Sequence, residues 1–431
     1  MILNPGAPMP RSISALPDIE ELAPAYSKTG YPEAFTELFA APNVRLMRDG
    51  PGRIVVFRNT DLRAIAANLC AGNMSCEALI RRSFLQRAVE SQVETDNRPW
   101  SRRFLEDLIF TANPPRHGPV RRALARQIMP KAVEQLAAIV DPIVAGLVDE
   151  LADSGELDLF TGFALRLTGC FWGHVLGLNR DEREQTVAAI EALTPLFFIT
   201  RTAAEIIAVE RAMAGYLSVF SAAIARATSN GSSPMLQSMK DDFDALEVTH
   251  KPREWGIWVA ANVIDGLHTA ALACVNVVYS LLRTPQALAA ACADPTLLPG
   301  ALTEGLRTLA PVIVTNRLAL ADFEYEGLQI PAGTGIALIW AAGNRDPAAF
   351  DDPNSYDLRR KASTSMTFGG GVHICPGRYV GSMLALAALR ALVNQRVEIA
   401  LCDEQPRWLA RSFMRQADRV AVTIRRVTKR G

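Results

Sequence analysis

Apolar residues along this chain recur mostly at helical spacing, and strand-like runs are confined to short patches. Val140, Val144, Leu147, Val148 and Leu151 fall on one face of a helix, with Gly155 suited to a stop shortly afterwards. The same period runs through 160–178 and 203–226, and the polar stretch 228–234 reads as a loop too short for a domain linker. From Trp255 to Leu282 the chain is almost continuously apolar, interrupted by Asp265 and His268, which predicts a long helix buried through the centre. Strands are expected in a hairpin over Val44–Phe57, followed by a helix from about Asp61. Others are expected at Phe323–Tyr325, Gly335–Trp340 and Val420–Ile424. The pattern predicts a mainly α protein with small β-sheets, one domain over 1–431, whose residues 1–20 form an extended N-terminal segment.

Composition agrees with a large packed core: 49% of the 431 residues are hydrophobic and 21% charged. Basic and acidic residues stand at 45 each, so no whole-chain field steers the protein to nucleic acid or an anionic membrane. Residues 1–17 lack the apolar core of a signal peptide, and no uncharged stretch reaches the ~20 apolar residues that span a bilayer. A cytoplasmic location without membrane attachment is expected. Seven cysteines, an odd number, fit reduced thiols.

The sharpest local signal is Phe368-Gly-Gly-Gly-Val-His373-Ile-Cys375-Pro-Gly377, followed by an Ala/Leu-rich helix over 378–393. Glycines let the backbone approach a flat, bulky group. Cys375, just ahead of a helix N-terminus, is placed to ionise and ligate iron. Taken alone, a cysteine in such a place is more often simply buried core. Reading Cys375 and His373 as zinc ligands leaves a tetrahedral site half filled.

This segment resembles the haem loop of the cytochrome P450 family, Phe-x-x-Gly-x-(Arg/His)-x-Cys-x-Gly, matched by Phe368, Gly371, His373, Cys375 and Gly377. The resemblance implies the P450 fold, with haem b between the central helix and the Cys loop, and Cys375 as axial thiolate ligand of the iron. It implies that His373, His117 and Arg121 of Pro114-Pro-Arg-His117-Gly-Pro-Val-Arg121, and Arg317 hold haem propionates. Glu304 and Arg307 match the family's Glu-x-x-Arg pair, whose third basic partner would fall at Ser355, a residue without charge.

On the central helix, Gly266 and Thr269 match a small-Gly-x-acid-Thr pattern. The glycine would open room over the haem and the threonine would help deliver protons. His268 stands where the acid is usual. Either His268 itself or Asp265, one turn before Thr269, could relay protons, and both could simply bind backbone or water.

The activity implied by the resemblance is insertion of one oxygen atom from O2 into a small apolar organic substrate, such as a terpenoid or other natural-product intermediate. Electrons would come from a separate ferredoxin and its NAD(P)H-dependent reductase. The alternatives are a haem-thiolate peroxygenase or isomerase needing no donor, and a non-catalytic haem-binding protein. Segments 196–199 and 312–314 and Phe413 are expected to bound the substrate. Arg102, Arg103, Arg116, Arg121, Arg122 and Arg126 form either a solvated face or a landing site for an acidic ferredoxin.

Overall fold

The computed structural model describes residues 11–29, 34–82, 99–198, 202–361, 364–393, 397–403, 405–409 and 412–427. The chain packs into two compact units, each assembled from separate segments. The first comprises 1–74, 313–353 and 364–374, and the second 75–312, 354–363 and 375–431.

The first unit is built on a five-stranded sheet of order β1-β2-β8-β5-β3, with β1 at Leu46–Arg48, β2 at Arg53–Val56, β3 at Ala71–Asn73, β5 at Thr315–Ala319 and β8 at Gly335–Leu338. The expected hairpin forms, β1 pairing antiparallel with β2, and β2 continues parallel to β8. Ile54, Val56, Ile336 and Leu338 are completely buried, so the central strands carry apolar side chains inward. Strands β6 (Phe323–Tyr325) and β7 (Leu328–Ile330) make a separate hairpin. Its turn residues Glu326 and Gly327 both have positive φ, 52° and 71°, matching the strand twist. Helix α1 (Asn59–Ala67) follows the first hairpin as predicted. The N-terminal segment is not extended over its described part: Ile13–Ala15 form a 3-10 turn and Asp18 caps a short helix, Ile19–Leu22. Its residues 1–10 lie outside the described residues.

The second unit is helical. It contains α2 (His117–Ala125), α3 (Pro130–Leu151), α4 (Leu165–Val175), α5 (Ala203–Ser229), α6 (Trp255–Leu282), α7 (Leu298–Thr308) and α8 (Arg378–Val393), with a three-stranded sheet β4-β10-β9 (Glu156–Asp158, Ala421–Arg426, Val397–Leu401). Thr202 starts α5 with a reciprocal capping box to Glu205. Helix α4 is preceded by a wide-turn segment, Leu159–Ala164, of π geometry.

Helix α6 occupies the predicted span and packs most extensively on α8, with α5, α7 and α4 around it. By length and composition α5 and α6 could each cross a bilayer, but 78% of the most apolar window of α6 is buried inside the protein. Its hydrophobicity on nearly every side is that of a core helix wrapped by others.

Candidate active site

Helix periodicity places Asp265 and Thr269 on one face of α6. The Thr269 hydroxyl donates to the Asp265 main-chain carbonyl one turn earlier. Asp265 retains accessible surface although burial desolvates its carboxyl, a combination that fits a side chain lining a recess. That burial lifts its pKa to about 6.

His268 is completely buried. Its ring stacks on Phe197 at 4.4 Å between centroids and meets the edge of Phe160 at 5.4 Å. Desolvation pulls it down to about 3, opposed by Gln416 beside the ring, and neither ring nitrogen is aligned for a hydrogen bond. It is therefore neutral across the physiological range.

A Cβ at Gly266 would lie 3.5 Å from the Trp172 ring of α4, at van der Waals distance.

Cys375 precedes α8 by three residues and belongs to the same unit as Asp265 and Arg121. Burial pushes its thiol up to about 11, and the Asp265 carboxylate adds to the rise. The Gly377 amide, Arg121 and Arg378 act in the opposite direction. A bound metal cation would favour the thiolate at this sulfur. His117, buried, and Arg121 lie one turn apart on α2, and burial lowers the pKa of Arg121 while the Cys375 charge raises it.

In the sheet unit, Arg317 on β5 is 4% exposed, and its Nε and Nη1 have no hydrogen-bond partner among the described residues. Desolvation pulls this guanidinium down to about 10. A buried cation with two open donors requires an anion, and the carboxylate of a haem propionate meets that need. His373 Nδ1 accepts from Asn73 Nδ2 at 3.1 Å, which leaves the ring proton on Nε2 as a donor. Phe368 is half-buried. Gly371, at φ 64°, lies so close to α1 that a Cβ would fall 1.9 Å from the Ala66 carbonyl oxygen. Within the sheet unit, an arginine with two open donors and a glycine whose Cβ position is taken by backbone fit the edge of a haem.

The charged pair on α7 is completed by a residue other than Ser355. Glu304 and Arg307, both fully buried, share two hydrogen bonds of 2.7 and 2.9 Å. Ser355 contributes no charge, but its carbonyl accepts from Arg307 at 2.8 Å. The third cation is Arg360, whose Nε donates to Glu304 Oε2 at 3.1 Å and whose Nη2 donates to Ser355 Oγ at 2.7 Å. The available signal was the Arg359-Arg360 pair in the same segment.

Parts of the three segments expected to bound the substrate meet in the helical unit. Phe198 bridges Ser412, the Phe413 amide donates to the Phe197 carbonyl at 3.0 Å, and Val312 bridges Met414. Ile313 and Val314 belong to the other unit, and Ile199 lies outside the described residues.

The arginine cluster is largely neutralised. Arg102 pairs with Glu106, Arg103 with Glu254, Arg116 with Asp107 and Arg126 with Asp242. Arg122 is exposed without an ion pair among the described residues.

The family model for cytochrome P450 matches residues 263–421. Cytochrome P450 monooxygenase PikC of Streptomyces venezuelae is 31% identical over 298 residues, 68% of this chain and 70% of that protein. The 20-oxo-5-O-mycaminosyltylactone 23-monooxygenase of Streptomyces fradiae is 31% identical over 299 residues, 67% of each. Among solved structures, P450BioI bound to an acylated acyl carrier protein aligns with TM-score 0.78 and 21% identity, over 93% of this chain and 99% of that one. The chain belongs to the cytochrome P450 family. It is a haem-thiolate monooxygenase of the bacterial type.

Proposed function

We propose that Cys375 binds the haem iron and that the recess beneath Asp265 and Thr269 is where a bulky, mainly apolar natural product is oxygenated. The observation that carries the reading is the placement of Cys375, Arg121, Asp265 and Thr269 in one unit, with the Asp265 carboxyl close enough to the Cys375 thiol to raise its pKa. When bound, the haem supplies activation of O2 by electron donation from sulfur. His117 and Arg121, with Arg317 and His373, are the proposed propionate donors. Phe368 and Gly377 flank the ligand loop.

Proton handling falls to Asp265 and Thr269 in this reading. The Asp265 pKa of about 6 keeps the carboxyl near the point where it gives and takes a proton at neutral pH. The Thr269 hydroxyl, resting on a backbone carbonyl, can rotate to pass that proton onward. His268, sealed between two aromatic rings, has no such role. With an acid facing the recess, a donor-free peroxygenase or isomerase loses the motive that the missing acid before Thr269 gave it.

The substrate class is supported by the apolar side chains of Phe197, Phe198 and Phe413 and by the tylactone named for the Streptomyces fradiae relative. Electrons are proposed to come from a separate ferredoxin and NAD(P)H-dependent reductase. Arg122 supports an acidic partner, and a cytoplasmic location goes with that partner system.

The test is spectral and kinetic. Reduced protein exposed to carbon monoxide should show the red-displaced Soret band of thiolate ligation, and Cys375→Ala should abolish it. Asp265→Asn should lower product formed per NAD(P)H consumed by about tenfold, the low end of general acid–base effects. A variant that keeps wild-type coupling would reject the proton assignment.

A further inference from the structure

The residue that replaces the usual acid is not idle. His268 presents its whole ring to Phe197, nearly parallel at 26°, while Phe160 closes the other side edge-on. Phe197 is half-buried and sits at the end of the turn Thr194–Phe197, so its ring joins α6 to a surface segment. Its carbonyl in turn accepts from the Phe413 amide at 3.0 Å and from Ser412 Oγ at 3.4 Å. The same terminal segment continues to Met414, which bridges Val312. A line of contacts therefore runs from α6 through His268 and Phe197 to residues 412–414 and on to Val312.

We propose that His268 is a positioning residue that selects substrate: it is the post on which Phe197 stacks, and it thereby fixes the terminal segment that bounds the recess. The inference rests on the monooxygenase reading of that recess. An imidazole with no aligned hydrogen bond acts here through its flat face, a contact a phenyl ring reproduces and a methyl group does not. The chemistry selected is bulk. With Phe197 held, residues 412–414 are held, and large ligands meet a fixed boundary.

The experiment uses the haem-loaded full chain as wild type, His268→Ala, His268→Phe, Phe197→Ala and the Ala/Ala double variant. Amide hydrogen exchange is followed at Phe413 and Met414. Spectral titration compares a bulky azole, clotrimazole, with a small one, 4-phenylimidazole. Each single alanine variant is expected to speed exchange at Phe413 about tenfold and to change the ratio of the two azole affinities ~5-fold, the scale of one aromatic pair. The double variant should add nothing further, because both substitutions break the same contact. His268→Phe should behave as wild type in both measurements. The proposal is overturned if His268→Phe matches His268→Ala, or if His268→Ala leaves exchange and the affinity ratio unchanged. Coupling in Asp265→Asn is read separately, so failure of the proton assignment cannot be mistaken for failure of this one.

Discussion

Asp265 and His268, three positions apart on one helix, show how burial sorts two ionisable groups that a linear motif leaves interchangeable. Both are desolvated, but Asp265 keeps accessible surface and is lifted to about 6, whereas His268 is completely buried against aromatic rings and lowered to about 3. For His268 the sign of the pH effect follows directly. Its ordinary value of 6.5 applies to the unfolded chain, which therefore takes up a proton below pH 6.5 while the folded protein does not until about pH 3. Stability is thus full above pH 6.5 and falls as pH drops toward 3, with a slope of up to about 1.4 kcal/mol per pH unit from this residue. Urea unfolding of wild type and His268→Phe between pH 7 and pH 4 checks it: the variant should lose less stability across that range. Equal slopes would mean that His268 is protonated in the folded state.

At the scale of elements, the strongest constraint is the buried charge cluster joining α7 to residues 354–360. Glu304 balances two guanidiniums, so removing it leaves both Arg307, fully buried, and Arg360, whose side chain is 13% exposed, without their anion. Glu304→Gln should cost roughly 3–5 kcal/mol, and Arg360→Ala less, since Glu304 keeps Arg307. Chemical unfolding of the two variants gives the order, and a reversed order would place the balancing charge elsewhere. The approach of the two segments depends on Gly300, where a Cβ would fall 1.8 Å from the Leu358 carbonyl oxygen. Gly300→Ala should therefore destabilise by roughly 1–3 kcal/mol or more, because backbone on both sides must move. A melting temperature equal to wild type would contradict that packing.

Over the whole molecule, a net charge of zero leaves partner attraction to local patches. Most arginines of the basic cluster are already paired within the protein, which leaves Arg122 as the exposed cation of α2. Arg122→Glu should raise the ferredoxin concentration needed for half-maximal turnover several-fold at low salt and much less at high salt, whereas Arg103→Ala, whose charge is engaged with Glu254, should change it little. Steady-state titration with ferredoxin at two ionic strengths distinguishes them. From periodicity and a short motif alone, the chain determined its helical class, the extent of α6 and α8, the β1-β2 hairpin, the haem loop and the Cys375 ligand candidate. These are local properties, written in the spacing of neighbouring residues. Tertiary structure decided the rest. Arg360 joins Glu304 from 56 positions away, Phe197 and Phe160 enclose His268 from other segments, and Asn73 orients His373 across the sheet unit. Which side of α6 is sealed and which keeps accessible surface depends on what packs against it, and no spacing along one chain encodes that.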